Sequence, residues 1–245
     1  MTELVAPAKL TWFLEVTAQR SDGYHLLRSE MTTLELADRM VVRDGDDVVY
    51  SGDVAGLDEL NQSNDTLIHR ALRLVDRRAH VAVEKRIPLG GGLGGGSSDA
   101  AAILRWAGFH DVERAVSLGG DVPFCLVGGR ALVTGIGEVV ESRAARPTPV
   151  TLFLPDFAVN TAACYHAFDE MVRDGWRPSG RNHLLDPACR VEPRLRGLVD
   201  WIAVEVGEPI LAGSGSTVFV EGHHGVANTL TTSIGQVRVI ETVTA

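Results

Sequence analysis

Lysine is nearly missing from this chain of 245 residues: of its 23 basic residues only Lys9 and Lys85 are lysine, and the rest are arginine. A lysine is a compact, tunable ammonium, whereas a guanidinium is planar, bulky and always charged. The two lysines are therefore candidates for positions where arginine would not serve. Cysteine is scarce too. Cys125, Cys164 and Cys189 are odd in number, widely spaced and form no CxxC pair, which argues against a disulfide framework and reads as free, buried thiols in a reducing compartment. No apolar run reaches the length of a membrane span, and the chain does not open on a basic segment followed by an apolar one. The expectation is a cytoplasmic protein with no membrane partner. Positive charge is also in deficit, and a formal net charge of −9 argues against nucleic acid as a partner. The seven histidines other than His25 show no metal-ligand spacing.

Glycine is what the chain has in abundance. Pro88-Leu89-Gly90-Gly91-Gly92-Leu93-Gly94-Gly95-Gly96-Ser97-Ser98-Asp99 puts six glycines into seven positions ahead of Ala100-Ala101-Ala102-Ile103-Leu104. Such a backbone reaches positive φ freely and keeps every Cβ away from its N–H groups. Ser97, Ser98 and Asp99 are good N-caps for the helix that the alanines begin. A helix N-terminus gathers unpaired donors and partial positive charge, which is what a polyphosphate needs. The run lacks Gly-Lys-Ser/Thr, so it is not the P-loop of the nucleoside triphosphatases. Gly90-x-Gly92-x-x-Gly95 has the dinucleotide spacing, but glycine density alone produces it, and Asp111 follows Ala107-Gly108-Phe109-His110 rather than a strand.

The loop instead resembles the Pro-x-x-x-Gly-Leu-Gly-Ser/Gly-Ser-Ser motif of the galactokinase, homoserine kinase, mevalonate kinase and phosphomevalonate kinase (GHMP) superfamily. Further segments carry the resemblance in the superfamily's order: Ala6-Pro7-Ala8-Lys9-Leu10, Arg20-Ser21-Asp22-Gly23-Tyr24-His25, Gly119-Gly120-Asp121-Val122-Pro123-Phe124, Gly135-Ile136-Gly137-Glu138 and Gly213-Ser214-Gly215-Ser216. Asp22-Gly23-Tyr24-His25 looks like one branch in particular, whose members phosphorylate the 2-hydroxyl of a cytidine-diphosphate-linked methylerythritol in isoprenoid precursor synthesis. The resemblance implies an α+β, two-domain GHMP-kinase fold with the active site in the cleft. Its parts would be an ATP-binding N-terminal domain like domain 2 of ribosomal protein S5 over 1–145 and an α/β C-terminal domain over 146–245. It also implies ATP and Mg²⁺, small-molecule substrates, and a monomer or homodimer. Another kinase of the superfamily, or a non-catalytic sensor on the same fold, is the alternative.

Periodicity places the motifs. Lys9–Val16 reads as a strand with Leu10, Trp12, Leu14 and Val16 on one face and Lys9, Thr11 and Phe13 on the other. Met31–Leu36, Met40–Arg43 and Val48–Tyr50 read as strands, with Asp44-Gly45-Asp46 as a hairpin turn. Asn64 or Asp65 caps a helix running to about Arg77. A hairpin is expected across Gly135-Ile136-Gly137, a linker over Ser142–Pro149, helices over 161–173, 193–204 and 225–233, and strands over 150–154 and 237–243.

From its residues alone Asp121 reads as a turn or N-cap aspartate. The resemblance makes it the general base, with Lys9 facing it, and assigns the ATP loop to Pro88 through Ser98. It implies no metal site of protein carboxylates: Mg²⁺ would come on ATP, with Ser98 a candidate contact. Asp99 reads as a first-turn carboxylate matching the helix dipole. Tyr24 and His25 would hold the cytosine of the substrate, and Thr11 would contact it. Two departures stand out: Thr11 replaces the superfamily branch's usual Asn, and Asn182-His183-Leu184 replaces its Asn-Asp-Leu.

Overall fold

The computed structural model describes residues 1–232 and 234–245. The first sheet holds β1 (Thr2–Gln19), β2 (His25–Arg43), β3 (Val48–Gly52), β4 (His80–Lys85), β5 (Arg130–Gly135) and β6 (Val139–Arg143). β2 is its axis. One edge of β2 pairs antiparallel with β1, from Thr2↔Val42 to Gln19↔His25. The other edge is divided, with β5 against Leu27–Thr32 and β4 against Arg39–Arg43. β3 joins β4 in parallel. The chain therefore turns at Asp44-Gly45-Asp46 without closing the expected hairpin, because β4 inserts between β2 and β3. A Cβ on Gly45 would lie 2.6 Å from His80 Cβ, so the turn must be bare to let β4 in.

The second sheet has the order β10-β11-β7-β9-β8 and is antiparallel throughout: β7 (Pro149–Pro155), β8 (Ile210–Leu211), β9 (Val218–Glu221), β10 (Thr229–Thr232) and β11 (Gly235–Val243). Where a helix is expected over 225–233, residues 225–228 are irregular and Thr229–Thr232 form a strand. The β-branched Thr229, Thr231 and Thr232 favour a pleated edge, and β10 pairs with β11 from Thr229↔Arg238 to Thr232↔Gly235; Ser233 lies outside the described residues.

The helices are α1 (Leu57–Gln62), α2 (Leu67–Leu74), α3 (Gly95–Trp106), α4 (Val112–Ala115), α5 (Val122–Val127), α6 (Thr161–Arg173), α7 (Leu185–Val191) and α8 (Pro193–Glu205). Three apolar clusters stack them into four layers. Ile68, Ala71 and Leu72 of α2, the alanines of α3 and Phe124 of α5 pack on one face of the first sheet. The other face, with Ala8, Leu10 and Leu34, meets Val150, Leu152, Leu154 and Phe219 of the second sheet. Phe153, Val218, Val237 and Val239 on that sheet's far face pack against α6, α7 and α8. Alternation along β7 thus serves two cores at once. None of the helices among the described residues is long and apolar enough to cross a membrane.

Two helix starts differ from expectation. Thr66, not Asn64 or Asp65, caps α2 in a capping box with His69, while Asp65 pairs with Arg70 and Arg73. α3 begins at Gly95 with Gly94 in the left-handed region, so Ser97, Ser98 and Asp99 lie inside its first turns and cap nothing.

Asp99 is also not a free dipole-matching carboxylate. Lys85 Nζ donates to Asp99 Oδ2 at 2.7 Å and to Asp38 Oδ2, and all three side chains are buried. Asp38 Oδ1 accepts from the backbone N–H groups of Arg86 and Ile87 at 2.6 and 2.8 Å. Burial pushes the Asp99 carboxyl up, against the pull of Lys85. Lys85 itself is held up: burial opposes its charge, and the two carboxylates outweigh burial. Replacing Lys85 by Met leaves two carboxylates buried without their cation. Loss of one member of such a cluster costs about 3–5 kcal/mol, so the urea midpoint of Lys85→Met should fall steeply; a midpoint near that of the parent would show the ammonium to be dispensable.

Candidate active site

The glycine run meets β1 and the second half of the chain at one point. Gly90, Gly92 and Gly94 take positive φ, at 69°, 78° and 69°, while Gly95 and Gly96 are already helical. A Cβ on Gly92 would sit 2.2 Å from the carbonyl of Ala212, and one on Gly94 would sit 2.7 Å from Lys9 Cγ. Gly213 closes the other side, where a Cβ would lie 3.0 Å from Lys9 Nζ. Lys9 therefore threads between two glycines. Its backbone N–H donates to Leu93 O at 2.9 Å, and Thr217 N–H holds Gly91 O at 3.2 Å.

Beyond the glycines, Lys9 Nζ donates to Thr11 Oγ1 at 3.1 Å and lies 3.4 Å from Asp121 Oδ2. The lysine side chain is 4% exposed and the aspartate 34%. Asp121 occupies the N-cap position of α5 but its side chain makes no capping bond; it turns to Lys9 instead. Gly120 and Gly137 set its height, since a Cβ on Gly137 would lie 2.0 Å from Gly120 O. The two Gly-rich loops touch backbone to backbone.

Asp121 opens on a cavity of about 710 Å³ whose wall includes Tyr24, His25, Ser97, Gly120, Tyr165 and Asp169. His25 stacks on Tyr165 with ring centroids 4.8 Å apart, and its Nε2 lies 2.7 Å from Asp169 Oδ1. Tyr24 stands 61% exposed at the rim. Burial and the field of Asp121 push the Tyr165 phenol up. On the other flank of α3 a cavity of about 360 Å³ is walled by Tyr50, Thr66, Leu67, Leu89, Gly96 and Asp99. Asp99 Oδ1 has no hydrogen-bond partner there. Pro88 and Leu89 are half-buried beside Gly90 and Gly91.

Residues 66–129 match the GHMP kinases N terminal domain. The 4-diphosphocytidyl-2-C-methyl-D-erythritol kinase of Delftia acidovorans is 34% identical over 89% of this chain and 85% of its own length. The chain belongs to the 4-diphosphocytidyl-2-C-methyl-D-erythritol kinase family. The enzyme of that name from Synechococcus sp. (strain CC9605) is 36% identical over 82% of this chain and 70% of its own. A crystal structure of 4-(cytidine 5'-diphospho)-2C-methyl-D-erythritol kinase superposes with a TM-score of 0.74 at 29% identity, covering 100% of this chain and 99% of that one. A putative homoserine kinase from Listeria monocytogenes shares the fold at a TM-score of 0.61 and 15% identity.

Within this kinase fold two expected roles do not fit the geometry. Thr11 is fully buried, its hydroxyl accepts from Lys9 and it is not among the residues lining the large cavity, so it steadies the lysine. Ser98 is buried with its hydroxyl donating to Pro7 O at 2.6 Å, and it does not line the large cavity. Ser97 is the serine that faces the cavity.

Several site residues escaped the sequence reading. Tyr165 and Asp169 are one turn apart on α6, a spacing that signals only a shared helix face. Asn182 is buried and donates to Leu211 O and Gly213 O at 2.8 and 2.7 Å, fixing the loop that walls Lys9. His183, at the departure from the family's Asn-Asp-Leu, accepts from Val16 N–H through Nδ1 at 3.1 Å and so clips β1 to the second half. The three cysteines are free and buried, and burial pushes the Cys164 thiol up to about 12.

The passage between Gly94 and Gly213 admits an unbranched chain and no fork. Lys9→Arg should therefore lose turnover nearly as completely as Lys9→Ala while circular dichroism stays unchanged. Recovery of most of the rate by arginine would reduce Lys9 to a general positive charge.

Proposed function

We propose that this cleft transfers the γ-phosphoryl group of ATP to the 2-hydroxyl of 4-diphosphocytidyl-2-C-methyl-D-erythritol, in isoprenoid precursor synthesis by the non-mevalonate route. One observation carries the reading. A paired ammonium and carboxylate open, beside the N-terminus of a glycine-led helix, onto a cavity whose other wall is aromatic.

The first N–H groups of α3 precede its first internal bond, from Ser98 N–H to Gly94 O, and stay available to phosphate oxygens. The smaller cavity beyond Gly96 suits the ATP base, where the unpartnered Asp99 Oδ1 matches an exocyclic amine. The Ser97 hydroxyl, on the wall of the large cavity, would hold the Mg²⁺ that accompanies ATP, and the ion would supply charge neutralisation. Asp121 accepts the hydroxyl proton as the new O–P bond forms and the bond to the β-phosphate oxygen breaks, and it releases that proton to solvent after ADP leaves. Lys9, 3.4 Å from the carboxylate, stabilises the charge spread over the transferring group.

Tyr24 and His25 stand on the cavity wall, which supports seating the acceptor's base against them. Asp121→Asn keeps the shape and removes the base, so turnover should fall by roughly 10²–10⁴ with little change in ATP affinity; near-parental turnover in a folded variant overturns the assignment. Tyr24→Ala should raise the Michaelis constant for the cytidylyl substrate about tenfold or more, since stacking one base is worth about 1–3 kcal/mol. The constant for ATP should hold. Cytidine diphosphate should compete with substrate in the parent enzyme, a result that a homoserine or mevalonate kinase has no reason to give.

A further inference from the structure

We infer that Asp169 is a positioning residue that makes the acceptor site select an amino-bearing pyrimidine by fixing the tautomer of His25. The inference rests on the cytidylyl reading above.

The His25 ring is clamped on three sides. Tyr165 stacks against it at 4.8 Å with planes 25° apart, Phe168 meets it edge-on at 5.9 Å, and Asp169 Oδ1 lies 2.7 Å from Nε2. All three partners come from α6, so one helix dictates both the plane of the ring and its rotation. The aspartate is held in turn, since Gln19 Nε2 donates to its Oδ2 at 3.2 Å. Both carboxylate oxygens are thus engaged by donors.

An ionised carboxylate only accepts hydrogen bonds, so the proton of a neutral His25 resides on Nε2 and Nδ1 presents a lone pair. Among the described residues Nδ1 has no hydrogen-bond partner, and it is absent from the buried polar atoms that lack one; it lies at the edge of a ring that lines the large cavity. A fixed lone pair at that edge accepts from the 4-amino group of cytosine and repels the 4-carbonyl oxygen of uracil. The opposite tautomer would invert the preference. Discrimination of this kind is large because the wrong base leaves a polar group unpaired in the site. Asp169 touches neither the reacting hydroxyl nor Asp121 in this scheme; it acts through His25.

The test measures competition by cytidine diphosphate and by uridine diphosphate against substrate in the parent and in Asp169→Asn. The amide can donate to Nε2 and drive the ring proton to Nδ1. The parent should prefer cytidine diphosphate, and the variant's preference should shrink about tenfold or more. The loss should fall on the Michaelis constant for the cytidylyl substrate rather than on kcat, and the constant for ATP should not move. Nitrogen-15 spectra of the parent, with His25 assigned through His25→Gln, should show Nε2 protonated and Nδ1 bare. A protonated Nδ1 in the parent overturns the inference without recourse to a variant. An unchanged ratio of the two diphosphates in Asp169→Asn also overturns it and leaves the cytidylyl reading standing. Failure of cytidine diphosphate to compete even in the parent removes both.

Discussion

One buried ammonium orders the catalytic half of the molecule. Lys85 ends β4, Asp38 sits on β2 where neither β4 nor β5 pairs with it, and Asp99 sits buried in the first turns of α3. Joining the three closes the open edge of β2, pins the strand that enters the glycine loop, and sets the height of the helix that leaves it. Burying charge is costly, and a hydrophobic trio of equal volume could be as stable. What an apolar trio could not do is take up the N–H groups of Arg86 and Ile87, which have no strand partner at that edge. The network is directional where packing is not.

The same residue type serves two ends at its only two positions. Lys85 is sealed between two carboxylates and does no chemistry. Lys9 is almost as buried along its stem but delivers its ammonium to a single carboxylate that stays one-third open to the cavity. Burial of both partners makes a strut, and exposure of one partner makes a site. At Lys9 the passage to Asp121 is the width of a methylene chain, which an arginine fork exceeds.

That passage also changes what the glycines mean. Flexibility and phosphate access explain Gly95 and Gly96, but Gly92, Gly94 and Gly213 are bare because something else occupies the space. Backbone of the second half lies against Gly92, the lysine stem against Gly94 and its ammonium against Gly213. Thr11 and Asn182 then hold the lysine and its wall in place. The two sheets meet across a filled apolar core, and beside it these side-chain-free contacts leave the room in which Lys9 reaches Asp121.

By itself the sequence determined the helix α2, the strand carrying Lys9 and the glycine-rich lead into α3, and the resemblance carried by its motifs implied the α+β fold and an Asp121 faced by Lys9. Each is local, or follows from motif order, and so survives without coordinates. It could not separate Ser97 from Ser98, since which hydroxyl faces the cavity depends on where α3 starts, and that start is set by Lys85 and Asp38 from other strands. It misplaced Thr11, because alternation names the face a residue shares with Lys9 but not what covers that face. It read the threonine-rich stretch before β11 as a helix, since an edge strand is decided by the neighbour it pairs with. Asp169 and Tyr165 gave no signal, for their meaning lies in His25, which Asp169 meets from 144 residues away along the chain. Tertiary structure alone brings such partners within reach, because hydrogen bonds and ring contacts act over a few ångströms and carry no trace in linear spacing.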